Sequence, residues 1–251
     1  LFVLASRPED AILPSPLFLQ SHVFLCRGKR HWVILDVSHD RYFCVNRRQF
    51  EALGPSLHGW NEPASPSGDP GTEAPMAAAA LANDLLTHGI LSERPAHAKD
   101  AHPTVYPLPT EAIDPHSRAP WMSSCAHAGA FFASSARASR ELRGERFQHI
   151  VKSIQARKNR NVSHAGPPDF ERARSLAAAF QRLRLFYPRS YLCLFDSLAL
   201  IHFLARFQVF PDWVFGVTAD PFEAHCWVQA GTLVLNDTVA RVSGFTPIMS
   251  I

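Results

Sequence analysis

Residues 193–207 read CLFDSLALIHFLARF. Apolar side chains occupy nearly the whole circumference of the helix this stretch would form. A surface helix would show a single apolar stripe. The spacing therefore predicts a buried central helix from about Cys193 to Phe207. Asp196, His202 and Arg206 interrupt it, and it is shorter than the ~20 apolar residues that a membrane span requires. Its first residue is a thiol. A cysteine in such a place is often inert core filling. Unpaired N–H groups and the dipole at a helix N-terminus nevertheless favour the thiolate, and the flanking sequence has to decide between the two.

Downstream, after Pro211, the apolar period changes to two. WVFGVT (213–218), HCWVQ (225–229) and TLVLND (232–237) read as strands. Ala230-Gly231 reads as the tight turn joining the last pair. That turn sets His225 opposite Asn236 and leaves Asp237 one step away, within reach of the imidazole. A nucleophile on a helix, with a base and an orienting carboxylate on adjacent strands, is the division of labour of a Cys–His–Asp triad. Cys193, His225 and Asp237 are the expected catalytic residues. Cys226 follows His225 along a strand and should point to the opposite face, so no zinc site is expected, and no cofactor. Trp227 shares the face of His225. His202 reads as structural, and His22, His31, His39 and His164 have no partner at a meaningful spacing.

Upstream, residues 167–188 form an amphipathic pattern, with Phe170, Ala173, Leu176, Phe180, Leu183 and Tyr187 on one face and Pro188 as its end. Residues 121–160 read as two basic helices, breaking between Arg137 and Ser139. From Ala130 to Tyr191 there are 13 Lys/Arg against 4 Asp/Glu. Such a segment suits an acidic partner or nucleic acid, but a solvated helix face is the expectation. Residues 95–118 read as a Pro-rich linker. Before it, residues 20–94 read as three strands (HVFLCR, HWVILD, RYFCVN) followed by helices. Asn46 caps the first helix, which carries Phe50, Leu53 and Leu57 and breaks at Pro55. NEPASPSGDPGTEAP (61–75) reads as a flexible loop. A helix with Leu81, Leu85 and Leu86 then ends at Gly89. The class is α+β: a small winged-helix-like three-strand/helix module, then a domain with a buried helix packed on an antiparallel sheet (119–251).

Composition agrees with packed cores, at 47% hydrophobic and 19% charged residues among 251. The five cysteines are widely spaced and lack a CxxC, which excludes a disulfide scaffold or zinc finger and suggests a reducing cytoplasm. The opening LFVLA is short and lacks a basic lead, so no signal peptide is expected.

CLFDSLALIHFLAR, VFGV, PFEAHCWVQ and GTLVLND resemble the lasso-peptide maturation proteases, the B proteins, over about residues 119–251. That family pattern runs CLxRSLAL, then PFxAHAWVE, then a short strand ending in Asp. The resemblance implies a transglutaminase-like, papain-like cysteine protease with Cys193, His225 and Asp237 as its triad. Asp196 stands where the pattern has a basic residue, Cys226 replaces Ala, and Gln229 replaces Glu. The N-terminal module resembles the precursor-peptide recognition element, similar to the small pyrroloquinoline-quinone chaperone. There a leader peptide adds a strand to a sheet edge. This implies leader binding at Tyr42, Phe43, Val45, Leu81 and Leu85. It also implies two partners: the precursor peptide and an ATP-dependent, asparagine-synthetase-like lactam synthetase. Neither nucleic acid nor membrane is expected as a partner. The rival readings are a non-catalytic peptide-binding scaffold, transamidation by the same site, and nucleic-acid binding through the basic helices.

Overall fold

The computed structural model describes residues 2–3, 16–62, 73–96, 98–114, 125–162, 169–188, 190 and 192–251. Most of the loop expected at 61–75, the end of the linker (115–118), Ala119–Ser124 and His164 lie outside these residues. The described chain is α+β, as expected. It divides into two compact units, Leu1–Thr104 with Thr218–Glu223, and Val105–Val217 with Ala224–Ile251.

In the first unit β1 (Phe2–Val3) and β2 (Phe18–Gln20) precede three longer strands, β3 (Val23–Arg27), β4 (His31–Asp36) and β5 (Arg41–Asn46). The last three pair antiparallel, with Leu25 opposite Ile34 and Ile34 opposite Phe43. β1 lies parallel on the outer edge of β5, with Phe2 opposite Phe43. Asn46 caps α1 (Arg47–Leu53) by accepting from the Arg48 N–H at 2.9 Å, and a single 3₁₀ turn, Gly54–Ser56, absorbs Pro55. α2 (Glu73–Thr87) stops at Gly89, whose φ of +67° is readily adopted only by glycine. There the Ile90 N–H bonds the Leu85 carbonyl and the Gly89 N–H bonds that of Leu86, closing the last turn. Trp32, Phe50, Leu53, Leu81 and Leu85 form the core. β6 (Leu91–Ser92) and β7 (Ala98–Lys99) flank β2 in a second small sheet. Two histidine expectations fail here. His39 Nδ1 bonds Asp36 at 2.6 Å, because Asp36 turns back over the β4–β5 connection. His22 Nε2 also lies 3.6 Å from Asp36.

The second unit begins within the stretch read as a linker. β8 (Glu111–Ala112) pairs parallel with a later strand rather than hanging free. Helices follow: α3 (Ala128–Gly144), α4 (Phe147–Val162), α5 (Phe170–Arg184) and α6 (Cys193–Ala205). The break expected at Arg137–Ser139 is absent. α3 runs through it to Gly144, because the Ala/Ser-rich stretch contains no breaker. α5 ends one turn earlier than the pattern suggested, and Asp169 caps its start. α6 matches its prediction and buries Phe195 and every residue from Ser197 to Leu204. Phe180 of α5 packs between Phe131 of α3 and Phe203 of α6, with ring centroids 5.1 and 5.4 Å away.

β9 (Asp212–Ala219), β10 (Phe222–Ala230), β11 (Leu233–Val234), α7 (Val239–Val242) and β12 (Thr246–Ser250) complete the unit. Its sheet runs β12-β9-β10-β11-β8. The hairpin register differs from the expected one. Ala230 pairs with Leu233, so the turn is Gly231-Thr232, not Ala230-Gly231. The reason is local: Gly231 takes φ +60°, and the turn moves to the residue that tolerates it. Among the described residues no helix is long and apolar enough to cross a membrane.

Candidate active site

Cys193 is the first residue of α6, where the opening N–H groups have no intrahelical acceptor. His225 lies on β10, and Asp237 lies just beyond β11 rather than in a strand. The moved turn does not separate them. Asn236 accepts from the Val228 N–H at 2.7 Å, which folds the chain back and brings the Asp237 carboxylate 2.6 Å from His225 Nε2. That bond leaves Nδ1 as the ring nitrogen available to the Cys193 thiol, whose ionisation His225 favours. The structure thus brings together all three residues expected from the sequence.

Two aromatic rings pack against the imidazole. Trp227 stacks at 6.0 Å between centroids and Phe245 lies at 5.1 Å. Gln229 fixes Trp227 in turn by accepting its indole N–H at 2.8 Å, and donates to the Pro107 and Gly231 carbonyls. Gln229 is therefore a fully buried amide with its bonds satisfied, which accounts for its tolerance where the resembling family carries Glu.

Electrostatics set the charge state. The Cys193 thiol is lowered to about 4. The Cys226 thiol is the largest cause, followed by the His225 ring, the Cys226 backbone N–H and the His225 charge, with burial opposing them. Burial disfavours a charged His225, but its bonds to Asp237 and Cys193 prevail and raise it to about 9. Asp237 is also buried, yet the His225 bond and the Thr238 N–H at 2.7 Å hold it below its ordinary value. Near neutral pH the site is a thiolate–imidazolium–carboxylate line.

Cys226 was expected to face away. Its thiol instead lies close enough to the Cys193 sulfur to favour the thiolate there. Burial and the neighbouring thiolate push its own thiol well up, so it stays protonated and can act as a donor. Ser197, one turn along α6, lies 3.3 Å from the Cys226 sulfur and accepts the Trp213 indole N–H at 2.8 Å. Neither role was legible in the sequence. Among the described residues no three His, Cys, Asp or Glu side chains form a metal-binding group.

Asp196 posed the opposite problem, since a carboxylate one turn from the thiolate should oppose its ionisation. The structure pairs it. Arg184, 3% exposed, bonds Asp196 and also donates to the Tyr187 and Ser190 carbonyls at 3.2 and 3.1 Å. Asp196 also accepts from the Leu192 N–H at 2.9 Å. The pair ties the loop between α5 and α6 down against the start of the nucleophile helix. Burial and the neighbouring Cys193 still raise Asp196, while Arg184 opposes the shift.

Cys193, His225 and Asp237 line a cavity of about 390 Å³, together with Phe180, Arg184 and Asp196. The residues expected to meet a leader sit elsewhere. Phe43, Val45, Leu81 and Leu85 belong to the core of the first unit, and Tyr42 is partly exposed on β5.

Comparison with curated proteins and with solved structures returned no match to the chain in either case. A family model does match. Residues 136–250, which contain Cys193, His225 and Asp237, fit the description "Transglutaminase-like superfamily", and this C-terminal part of the chain is a transglutaminase-like domain.

Proposed function

We propose that this chain is a cysteine-dependent leader peptidase, acting on the precursor of a ribosomally made lasso peptide. The observation that carries the reading is that Cys193, at a helix N-terminus, shares one open cavity with the hydrogen-bonded pair His225–Asp237 and is ionised by His225. A transglutaminase-like domain is consistent with cysteine-protease or acyl-transfer chemistry. In the proposed reaction the Cys193 thiolate attacks the scissile carbonyl carbon. The oxyanion that forms faces the backbone N–H of Cys193 at the start of α6. His225 gives its Nδ1 proton to the departing amine, leaving a thioester on Cys193. Water, deprotonated by His225, then releases the leader acid and the thiolate. Asp237 stays ionised throughout and holds the ring in register.

The first unit is proposed to hold the leader as an added strand beside β5, whose outer edge already accepts Phe2–Val3 of this chain. Tethering would raise the local concentration of the scissile bond. The freed amine would pass to an ATP-dependent lactam synthetase. The test is incubation of the full chain with a candidate precursor and measurement of product masses. Leader and core whose masses sum to precursor plus one water support hydrolysis. A product joined to an added amine would assign transamidation by the same thioester, and an uncut precursor would leave only a binding role.

The pH dependence of this reaction follows from the two shifted groups. Cleavage needs the thiolate, so it should rise with pH through about 4. It also needs the imidazolium proton, so it should fall through about 9. Alkylation by iodoacetamide needs only the thiolate, so it should rise through the same acid limb and show no loss above 9. An alkylation curve centred near the free-thiol value of about 8.5 would remove the ion pair from the mechanism.

A further inference from the structure

A second cavity, of about 120 Å³, opens at the far end of α6 from Cys193 and is lined by Ser134, Arg137, Arg157, His202 and Arg206. One water needs only about 10–15 Å³ of such space, so the cavity has room for a larger guest. Its charge is unbalanced. Glu141 is the only carboxylate within ion-pair distance of this group among the described residues, and it pairs with Arg137 at 2.7 Å. His202 adds no charge of its own. Its Nδ1 accepts from Arg157 at 3.1 Å, so its proton sits on Nε2 and is donated to Glu141 at 2.6 Å. Burial also disfavours its protonation. Three guanidiniums thus face one carboxylate. The Arg206 side chain has neither hydrogen bond nor ion pair among the described residues.

Arginines at the C-terminal end of a helix also complement its dipole, and that alone would explain their charge. It does not explain Ser134. This residue is 2% exposed, its hydroxyl is fully buried, and it has no hydrogen-bond partner. A buried hydroxyl without a partner costs stability unless a ligand or water completes it. Ser134 lines the cavity beside the arginines.

We propose that this cavity is an oxyanion site that takes one phosphoryl group, held by Arg157 and Arg206 with Ser134 donating a hydrogen bond. The excess of two positive charges matches a phosphate dianion better than a single carboxylate. Guanidinium forks also suit phosphoryl oxygens in pairs. The site would absorb part of the basic surplus between Ala130 and Tyr191, and it is separate from the Cys193 cavity. It therefore stands whether or not the chain is a peptidase.

The test is thermal unfolding of the full chain titrated with inorganic phosphate, with chloride at matched ionic strength, acetate and AMP as parallel arms. Phosphate should raise the unfolding temperature saturably and chloride should not. Acetate should require a concentration about tenfold higher than phosphate. AMP binding tighter than phosphate would name a nucleotide phosphate as the source, and weaker binding would name free phosphate; both support the site. Arg157→Met and Arg206→Gln should each raise the half-saturating phosphate concentration about tenfold. Ser134→Ala should raise it about threefold without lowering the unfolding temperature of the ligand-free protein, since its hydroxyl has no bond to lose. Iodoacetamide labelling of Cys193 at the unaltered rate reports that each variant is folded. If Arg157→Met does not fold, the exposed Arg206 and the unpartnered Ser134 still give the readout. No phosphate effect beyond chloride, a shift that acetate matches, or a shift unchanged in Arg206→Gln and Ser134→Ala overturns the proposal.

Discussion

Cys193→Ala should leave a candidate precursor uncut while the protein stays folded and still binds it. The sulfur combines ionisation at neutral pH with the first position of α6 and the nucleophilicity of a thiolate. Without it no thioester forms, and His225 has only water to activate. A fall of about 10³-fold or more in kcat/KM is expected, the scale on which members of such constellations act. Cys193→Ser should be nearly as inactive. A serine hydroxyl would not be ionised by the same neighbours, so the ready-made ion pair would be lost. The substitution is small and the site partly open, so the unfolding temperature should hardly move. Cleavage by Cys193→Ala at the unaltered rate would sink the proposed function. Loss of cleavage together with loss of precursor binding would instead indicate damage to the fold.

Asp237→Asn is expected to have the next largest effect, on the order of 10²–10⁴ in kcat/KM. Asp237 is the strongest of the groups that raise His225 to about 9. An amide keeps the shape and can still bond Nε2, but it removes the negative charge that stabilises the imidazolium. The His225 value must then fall. Because the thiolate and imidazolium stabilise each other, that of Cys193 must rise. The pH–rate bell should narrow from both sides, and iodoacetamide labelling at pH 5 should slow. A purely structural role for Asp237 predicts lower stability with an unchanged bell, so the profile separates the two roles. Arg241, 4.0 Å from the same carboxylate and largely exposed, should matter little by comparison.

What the sequence made legible follows the range of the physics. The buried helix, the three strands β3 to β5, the Asn46 cap and the Gly89 stop depend on neighbours within a few residues, and all were readable. The Cys193, His225 and Asp237 set was readable because a period change from helix to strand fixes which faces can meet. Longer-range features were not. β8 is two residues long and shows no period, and β12 carries Pro247 and a register shift, so both exist through their pairing partners. The hairpin turn was placed one residue early because Ala230-Gly231 and Gly231-Thr232 look alike until φ is known. Arg184 and Asp196 meet across a loop, and nothing in RLRLFYPRSYLCLFD marks that pairing. Cys226 was judged by strand alternation alone, which ignores a helix arriving from the side to meet both its thiol and its N–H.

The strands around His225 also bear on where this domain can be cut. The family match starts at residue 136, yet the sheet is completed by residues from before it. Tyr106 bonds Asp212 at 2.6 Å, the Pro107 carbonyl accepts from Gln229 at 3.0 Å, and β8 zips onto β11 immediately before Asp237. Gln229 in turn anchors Trp227, the ring stacked on His225. A fragment trimmed to the family boundary would open a raw β edge beside Asp237 and strip Gln229 of a partner. An expression boundary for this domain belongs before Val105, about thirty residues upstream of where family similarity begins.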